Sequence, residues 1–468
     1  MTSSKSSFDI AIVGGGPGGY VAALRAAQLK QRVALIERSD LGGICLNWGC
    51  IPTKSLLHTA ETFRHMRHAG ALGLNVGEIT VDFERVVARS REVATRLNRG
   101  VAHLLKKSGV TVFKGSAAFS QSGRLDITTP DKAPLEIDAK HIILATGARP
   151  RALPMLPFGE PHVWSYREAL AAKELPKSLV VIGAGAIGIE FARFFATLGS
   201  NVTVIEAQPR ILPASDSEVS TFVQNSFERD GIRVLTGARV ESAQTNAKDT
   251  ELRVVHQGVT ETVRGQRVLV AVGLIGNSDG IGLEYTRVRV EKGCILVDAC
   301  GATSHAGIYA IGDVTGAPML AHRASHQALQ VIDHIAGACT ANKREMALIP
   351  SCVYSYPQSA SLGLTEDEAR TGGRSIRVGR FPLEGNGKAV AIGETAGFVK
   401  TIFDEATGAL LGAHIVGPDA PELIHGFALA HALEATEEEL MHTVFPHPTL
   451  SEAMHESVLA AFGRALHV

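Results

Sequence analysis

No stretch of the 468 residues is apolar for long enough to cross a membrane; a span needs about 18–20 consecutive apolar residues. An excess of charge is missing too. Lys and Arg number 46 against 47 Asp and Glu, a formal net charge of −1, so nothing draws the chain toward nucleic acid or an anionic membrane. Cysteine is scarce. Six in a chain of this length do not make the cross-linked framework of a small secreted protein. Met1 to Ser7 is short and polar, and a strand-like run begins at Phe8. That leaves no room for a signal or transit peptide, and a cytoplasmic location is expected. What is present is ordinary for a soluble globular protein: 45% hydrophobic and 20% charged residues, with length for about three domains.

Two of the cysteines stand out. Cys45 and Cys50 lie five apart in Leu41-Gly42-Gly43-Ile44-Cys45-Leu46-Asn47-Trp48-Gly49-Cys50-Ile51-Pro52-Thr53-Lys54. As chemistry this is a dithiol able to close into a small disulfide ring, with glycines that permit close backbone approach. Pro52-Thr53-Lys54 opens an apolar-periodic run, which puts the pair at a loop-to-helix junction. A thiolate there is stabilised by the helix N-terminus and the lysine. The competing readings are a buried structural pair and half of a zinc site. Zinc usually takes closer pairs and needs two more ligands, whereas Cys294, Cys300, Cys339 and Cys352 are scattered.

A repeat organises the rest. Phe8 to Val13 reads as a buried parallel strand. It runs into Gly14-Gly15-Gly16-Pro17-Gly18-Gly19, then a helix from about Tyr20 to Lys30, then a strand Arg32 to Ile36 ending at Glu37. This is the unit that binds a dinucleotide. Gly14 makes the tight turn, Gly16 lets backbone approach a pyrophosphate, Gly19 lets helix and strand pack, and Glu37 can bond a ribose hydroxyl. The unit recurs 169 residues on, with Leu179 to Ile182 as strand, Gly183, Gly185 and Gly188 as glycines, Val202 to Ile205 as second strand and Glu206 as acid. One glycine fingerprint is a weak signal; two with both acids in register are strong, and they imply two dinucleotide sites.

Between the repeats, Asp82 to Lys107 reads as a long amphipathic helix. Phe83, Val86, Val87, Val93, Leu97, Val101, Leu104 and Leu105 form its apolar stripe, expected to be core. Short strands follow at Val110 to Phe113, Leu125 to Thr128 and Ala139 to Leu144, the last running into Ala145-Thr146-Gly147. Pro150, Pro154 and Pro157 mark a linker. Val268 to Gly273 repeats that strand-to-glycine ending, and Gly307 to Asp313 is another buried strand ending in a carboxylate. A helix is expected from about Ala321 to Ala336. After Pro350, alternating apolar residues and turn signals at Glu384 to Lys388 and Asp404 to Gly408 suggest an antiparallel sheet with helices.

In these markers, joined by Glu190 after Gly188 and by His447-Pro448-Thr449-Leu450-Ser451-Glu452, the chain resembles the flavoprotein disulfide reductases, and among them most closely the dihydrolipoamide dehydrogenase family. The likeness covers the whole chain after the first few residues. It implies an α/β fold with two Rossmann-like dinucleotide-binding domains, for FAD and NAD, plus an α+β C-terminal dimerisation domain. The boundaries would be 1–150 and 276–346 for the two parts of the FAD domain, 151–275 for the NAD domain and 347–468 for the interface domain. FAD would be held by Gly14, Gly16, Gly19, Glu37, Thr146, Gly147, Gly312, Asp313 and Ala321, with Asp313 on the ribitol chain. NAD would be held by Gly183, Gly185, Gly188, Glu206 and Gly273. Lys54 and Glu190 would form an ion pair beside the flavin, and the helix from Ala321 would point its positive end at the flavin.

The resemblance further implies that Cys50 faces the flavin and that Cys45 exchanges with a substrate disulfide. His447, oriented by Glu452, would be the acid–base and would act on Cys45 of the second subunit of a homodimer. The activity implied is oxidation of dihydrolipoyl groups on a lipoylated carrier, or on the lipoyl domain of a 2-oxoacid dehydrogenase or glycine cleavage system. Electrons would pass through the Cys45–Cys50 disulfide and FAD to NAD.

Two alternatives stay open: an NAD(P)H-dependent reductase of another disulfide, similar to glutathione reductase, and a docking subunit with little catalysis. Glu206-Ala207-Gln208 disfavours a 2′-phosphate, although Arg210 is close. The C-terminal residues Gly463 to Val468 carry no extra cysteine pair of the mercuric reductase or large thioredoxin reductase kind. Trp48, Phe445, Leu274-Ile275-Gly276 and Arg323 depart from the commoner family pattern. Trp48 and Phe445 are expected to narrow the substrate channel, and Leu274-Ile275 to alter nicotinamide binding.

Overall fold

The computed structural model describes residues 6–121, 124–129, 134–338 and 348–467. Cys339 and the boundary expected at 346/347 lie outside them. The chain divides into two compact units, each built from three stretches: Met1–Ser55, Glu84–Arg151 and Gly273–Lys343 in the first, and Leu56–Phe83, Ala152–Val272 and Arg344–Val468 in the second.

The first unit is organised by a seven-stranded sheet. Its order is Thr111–Lys114, Val33–Glu37, Ser6–Val13, Leu135–Leu144, Leu125–Thr128 and Ser116–Phe119, with Ile308–Ala310 also paired to Leu135–Leu144. The first four strands and Ile308–Ala310 pair in parallel; the other two form an antiparallel meander. Leu135–Leu144 is longer than the expected Ala139 to Leu144 because it serves two neighbours on one edge. Leu135 and Ile137 face the meander, and Ile142 to Leu144 face Ile308–Ala310.

Both faces of the parallel strands are covered, which is why they read as continuous apolar runs. Ile10, Ile12, Leu35 and Ile143 pack on one side with Ala22, Ala23 and Ala26 of the Pro17–Gln28 helix. Ala11, Val13, Ile36 and Leu144 pack on the other. The helix begins earlier than expected because Pro17 suits a first helical position. Arg25 pairs with Asp333 at 2.7 Å, joining this helix to Ala321–Ile335.

The Phe83–Lys107 helix lies close to its expected span, but its stripe runs differently. Leu97 and Leu104 are exposed, 41% and 48%. Within the first unit, Val87, Ser90, Ala94, Val101 and Leu105 are buried, and the half-buried Arg91 and Asn98 border that line.

The second unit holds three sheets. A five-stranded parallel sheet runs Arg233–Leu235, Asn201–Ile205, Ser178–Ile182, Arg267–Val270, Val163–Trp164. The antiparallel strands Arg239–Thr245, Thr250–His256 and Val259–Gly265 form the second. The third is the expected antiparallel C-terminal sheet, ordered Ser351–Val353, Ser359–Gly363, Leu410–Val416, Phe398–Asp404, Ile376–Pro382. The Asp404 to Gly408 turn is present. At Glu384 to Lys388 the chain instead makes the 3-10 turn Leu383–Gly385 and the helix Gly387–Ile392. Asn386 converts turn to helix by accepting the Ala389 N–H at 2.9 Å.

Candidate functional site

The two glycine turns agree bond for bond. Val13 delivers Gly14, whose N–H donates to the Ile36 carbonyl at 2.8 Å; Ile182 delivers Gly183, whose N–H donates to the Ile205 carbonyl at 2.8 Å. Their φ values are +106° and +99°, and a Cβ on either would meet a carbonyl oxygen of the adjacent strand's extension, Ala145 at 2.2 Å or Ala271 at 2.4 Å. Only glycine serves there. Each acid then closes its turn. Glu37 accepts from the backbone N–H of Gly15 and Ser39, both at 2.7 Å. Glu206 accepts from Ala184 and Gln208, both at 2.7 Å.

Each turn sits where neighbouring strands leave in opposite directions from the middle of a parallel sheet, the place where such sheets take ligands. The helices Pro17–Gln28 and Ala186–Leu198 start at Gly16 and Gly185 with no side-chain cap. Ser165, Asp216 and Thr365 cap other helices in the usual way. Uncapped first-turn N–H groups and their dipole are what a pyrophosphate needs. By this measure both turns fit a dinucleotide.

The first turn has further neighbours in its own unit. Thr146 Oγ1 donates to the Asn277 carbonyl at 2.8 Å, the Asn277 N–H donates to the Gly147 carbonyl at 2.9 Å, and Asn277 Nδ2 donates to the Thr146 carbonyl at 2.9 Å. Asp313 lies in the 3-10 turn Gly312–Thr315, straight after Ile308–Ala310. Gln327 accepts the Gly312 N–H at 2.8 Å. Arg323 donates to the carbonyls of Gly316 (2.6 Å) and Pro318 (3.1 Å) and to Thr315 Oγ1 (3.1 Å). Burial pushes the Asp313 carboxyl above its ordinary value, and Arg323 opposes this only in part. Ala321 is the first residue of the Ala321–Ile335 helix.

Cys45 and Cys50 are joined in a disulfide, with Cα atoms 4.7 Å apart. Cys45 lies in the short helix Gly43–Trp48, and Cys50 is the first residue of the 18-residue helix Cys50–Arg67. That helix starts two residues before the expected Pro52, since proline is tolerated within a first turn. Lys54 follows Cys50 by about one turn. The ring segment is tied to the first glycine turn: the Gly42 N–H donates to the Gly15 carbonyl at 2.8 Å.

In the second unit, His447 Nδ1 and Glu452 Oε1 are 2.8 Å apart. A carboxylate accepts there, so Nδ1 carries the hydrogen, which leaves Nε2 as the ring nitrogen that can exchange a proton. Glu452 Oε2 accepts the Thr449 N–H at 2.8 Å. Burial works against the Glu452 charge, but the Thr449 N–H and the His447 ring prevail and hold its carboxyl below the ordinary value. Asn386 Nδ2 donates to the Thr449 carbonyl at 3.0 Å. Phe445 stacks on His455, ring centroids 5.2 Å apart. Glu190, 6% exposed, accepts the Tyr354 N–H at 3.0 Å.

Gly14, Gly16, Gly19, Glu37, Thr146, Gly147, Gly312, Asp313, Ala321, Cys45, Cys50 and Lys54 therefore belong to the first unit, as does Gly273. Gly183, Gly185, Gly188, Glu190, Glu206, His447 and Glu452 belong to the second. Sequence reasoning missed Asn277, Gln327 and Asn386. Gln327 left a trace, a polar residue one turn after Arg323 on an otherwise apolar helix face.

The chain belongs to the pyridine nucleotide-disulphide oxidoreductase family: the family model matches residues 8–328, and that of the family's dimerisation domain matches 349–458. It is 49% identical to the dihydrolipoyl dehydrogenase of Zymomonas mobilis, over 98% of this chain and 99% of that one. With the dihydrolipoyl dehydrogenase of Rhizobium etli the identity is 47%, again over 98% and 99%. Its fold matches the crystal structure of LpdA from Mycobacterium tuberculosis with a TM-score of 0.90, at 29% identity, over 96% of this chain and 98% of that one.

Proposed function

We propose that this chain is a dihydrolipoyl dehydrogenase, oxidising dihydrolipoyl groups on carrier proteins with FAD as bound cofactor and NAD as final acceptor. The observation that carries the reading is the Cys45–Cys50 disulfide, bonded through Gly42 to the first dinucleotide turn. Near-full-length identity to dihydrolipoyl dehydrogenases supports it.

The first turn, with Thr146, Gly147, Gly312, Asp313 and Ala321, is assigned to FAD. The second, with Glu206, is assigned to NAD. Residues 1–150 and 276–346 would make up the FAD domain, 151–275 the NAD domain and 347–468 the interface of a homodimer. Lys54, about one turn after Cys50, would supply positive charge beside the flavin. Among the described residues no helix is long and apolar enough to cross a membrane, and the assigned location is the cytoplasm, where lipoylated carriers would be the partners.

His447 takes a proton at Nε2 from one thiol of a substrate bound at Cys45 of the second subunit of the homodimer, with Glu452 holding the ring. The thiolate attacks Cys45 Sγ, the Cys45–Cys50 bond breaks, and Cys50 leaves as a thiolate. Its place at the start of a long helix stabilises that charge. His447 releases that first proton to solvent and takes the proton of the second substrate thiol, whose thiolate attacks the substrate sulfur of the mixed disulfide. A lipoyl disulfide departs, and Cys45 leaves carrying a proton returned by His447. Two electrons now rest on the cysteine pair. FAD, which the first turn and Asp313 would hold, would supply two-electron acceptance from this pair and hydride chemistry toward NAD.

Initial rates with dihydrolipoamide, run side by side with NAD and NADP, test the proposal. Fast reduction of NAD with little of NADP is expected. No turnover with either nucleotide in yellow, FAD-loaded protein would overturn the substrate assignment.

A further inference from the structure

The segment between the two cysteines is held from outside as well as by its own sulfur bond. Helix Phe83–Lys107 reaches it with two polar side chains, Arg91 and Asn98, seven residues and about two turns apart. They border the buried line of Val87, Ser90, Ala94, Val101 and Leu105 and are themselves half-buried. Arg91 donates to the main-chain carbonyl of Asn47, and its guanidinium lies over the Trp48 ring, 4.1 Å from the centroid. Asn98 Nδ2 donates to the Leu41 carbonyl at 2.7 Å and reaches Asn47 Oδ1 at 3.4 Å. The Asn47 side chain, 5% exposed, donates to the carbonyls of Leu41 and Gly43, both at 2.9 Å. Asn47 and Trp48 are the middle of the disulfide ring, and none of these contacts uses a sulfur atom.

We propose that Arg91 is a positioning residue for the redox chemistry. Through Trp48 and the Asn47 carbonyl it keeps the Cys45–Cys50 loop in its closed shape after the disulfide has opened. The inference rests on the proposed function only in taking this disulfide as the one that cycles. With the disulfide open, the short helix Gly43–Trp48 and its Gly49 joint would otherwise recover backbone freedom, and closing the ring again would require ordering them. A guanidinium suits the task because its flat face stacks on the indole while its N–H groups donate in plane. Trp48 then serves the disulfide as the surface on which the tether rests.

The consequence is a shift in the dithiol–disulfide equilibrium. With the tether intact, the reduced pair is already arranged to close, so the disulfide is favoured. With the tether cut, the reduced form gains freedom and the disulfide becomes the stronger oxidant. Exchange with dithiothreitol reads this directly. One S–S bond breaks in the protein, one forms in the reagent, and two hydrogens pass from reagent to Cys45 and Cys50.

FAD-loaded protein is equilibrated in dithiothreitol buffers of graded oxidation, quenched with an alkylating agent, and the modified Cys45 and Cys50 are counted by mass spectrometry. Arg91→Met is expected to shift the equilibrium toward the dithiol by about tenfold, equivalent to about 30 mV for this two-electron couple. Trp48→Leu should do the same from the other side of the stack, and the double variant should shift little further, because the two act as one device. Arg91→Lys, which keeps the charge and one donor but not the planar stack, should fall between. Arg99→Met, on the exposed side of the same helix, should leave the equilibrium in place. A merely structural role would lower thermal stability without moving the equilibrium. Should Arg91→Met fail to fold, Trp48→Leu carries the test alone. An equilibrium within twofold of the parent in the folded variant overturns the proposal. Dithiothreitol replaces the lipoyl substrate, so this result is independent of whether dihydrolipoamide is turned over.

Discussion

Lys400 Nζ lies 3.0 Å from Asp216 Oδ1 with both side chains sealed from solvent, 1% and 0% exposed. The same ammonium reaches Glu218 at 2.9 Å and Glu366 at 2.7 Å. Asp216 has two more tasks: it caps the Ser217–Arg229 helix through the Glu218 N–H and accepts the Glu366 N–H at 3.1 Å. One buried cation thus joins the Ser217–Arg229 helix to the C-terminal sheet. Removing it strands the sealed Asp216 carboxylate, a change that typically costs about 3–5 kcal/mol. Lys400→Met should lower the denaturation free energy by about that much, read as an earlier denaturant midpoint. A loss under about 1 kcal/mol would place the pair among weak ion pairs.

Acid should find the same cluster. Burial works against the charge on Asp216, but His414, the Glu366 N–H and Lys400 outweigh it; for Glu366, burial is outweighed by Lys400 and Arg370. Both carboxyls sit below their ordinary values. A depressed folded-state pKa stabilises the fold above the ordinary carboxyl range, about pH 4. That stability is lost as pH falls through the lower folded-state value. Denaturant midpoints measured from pH 7 downward should fall steeply below about pH 4 in the parent and less steeply in Asp216→Asn.

His447→Gln should lower kcat with dihydrolipoamide by about 10²–10⁴-fold, the usual reach of a general acid–base, while FAD content stays unchanged. Glu452→Gln keeps the shape but weakens the hold on Nδ1, and a smaller loss is expected. Equal kcat in parent and His447→Gln would remove the histidine from the proton path.

Gly188 separates packing from chemistry at the second turn. A Cβ there would sit 1.9 Å from the Gly183 carbonyl oxygen and 3.2 Å from Val181 Cγ1. Gly188→Ala must push helix and turn apart, at about 1–3 kcal/mol. The KM for NAD should rise at least about tenfold by that displacement, with bound FAD retained. Nucleotide kinetics and the flavin spectrum together check it.

Much of this was legible because it is written in local grammar. The glycine turns and their acids repeat at a fixed offset, and that backbone geometry has few other solutions. The apolar strands of both parallel sheets read clearly for the same reason. The helix Phe83–Lys107 was legible as a helix but not in its facing. Leu97 and Leu104 joined the apolar stripe on paper, yet the buried line runs through Ala94 and Ser90. It is bordered by Arg91 and Asn98, polar residues whose partners lie some forty to sixty positions earlier. Asn277, Gln327 and Asn386 hide for that reason also. Each holds a site residue through a backbone group distant in the chain, and no spacing rule points from one to the other. At Glu384 to Lys388, glycine and asparagine read as a turn, while the cap made by Asn386 turned the segment into a short helix.

The two oxygens of Glu206 already hold the Ala184 and Gln208 amides, and this constrains how such an enzyme can change over generations. Under the proposed assignment of this turn to NAD, a basic replacement that welcomed a 2′-phosphate would also untie the turn beneath it. Drift from one nicotinamide nucleotide to the other is then obstructed by folding before selection on chemistry can act. A lineage, or a protein engineer, must first restore those amides by another route, and only then can the preference be exchanged.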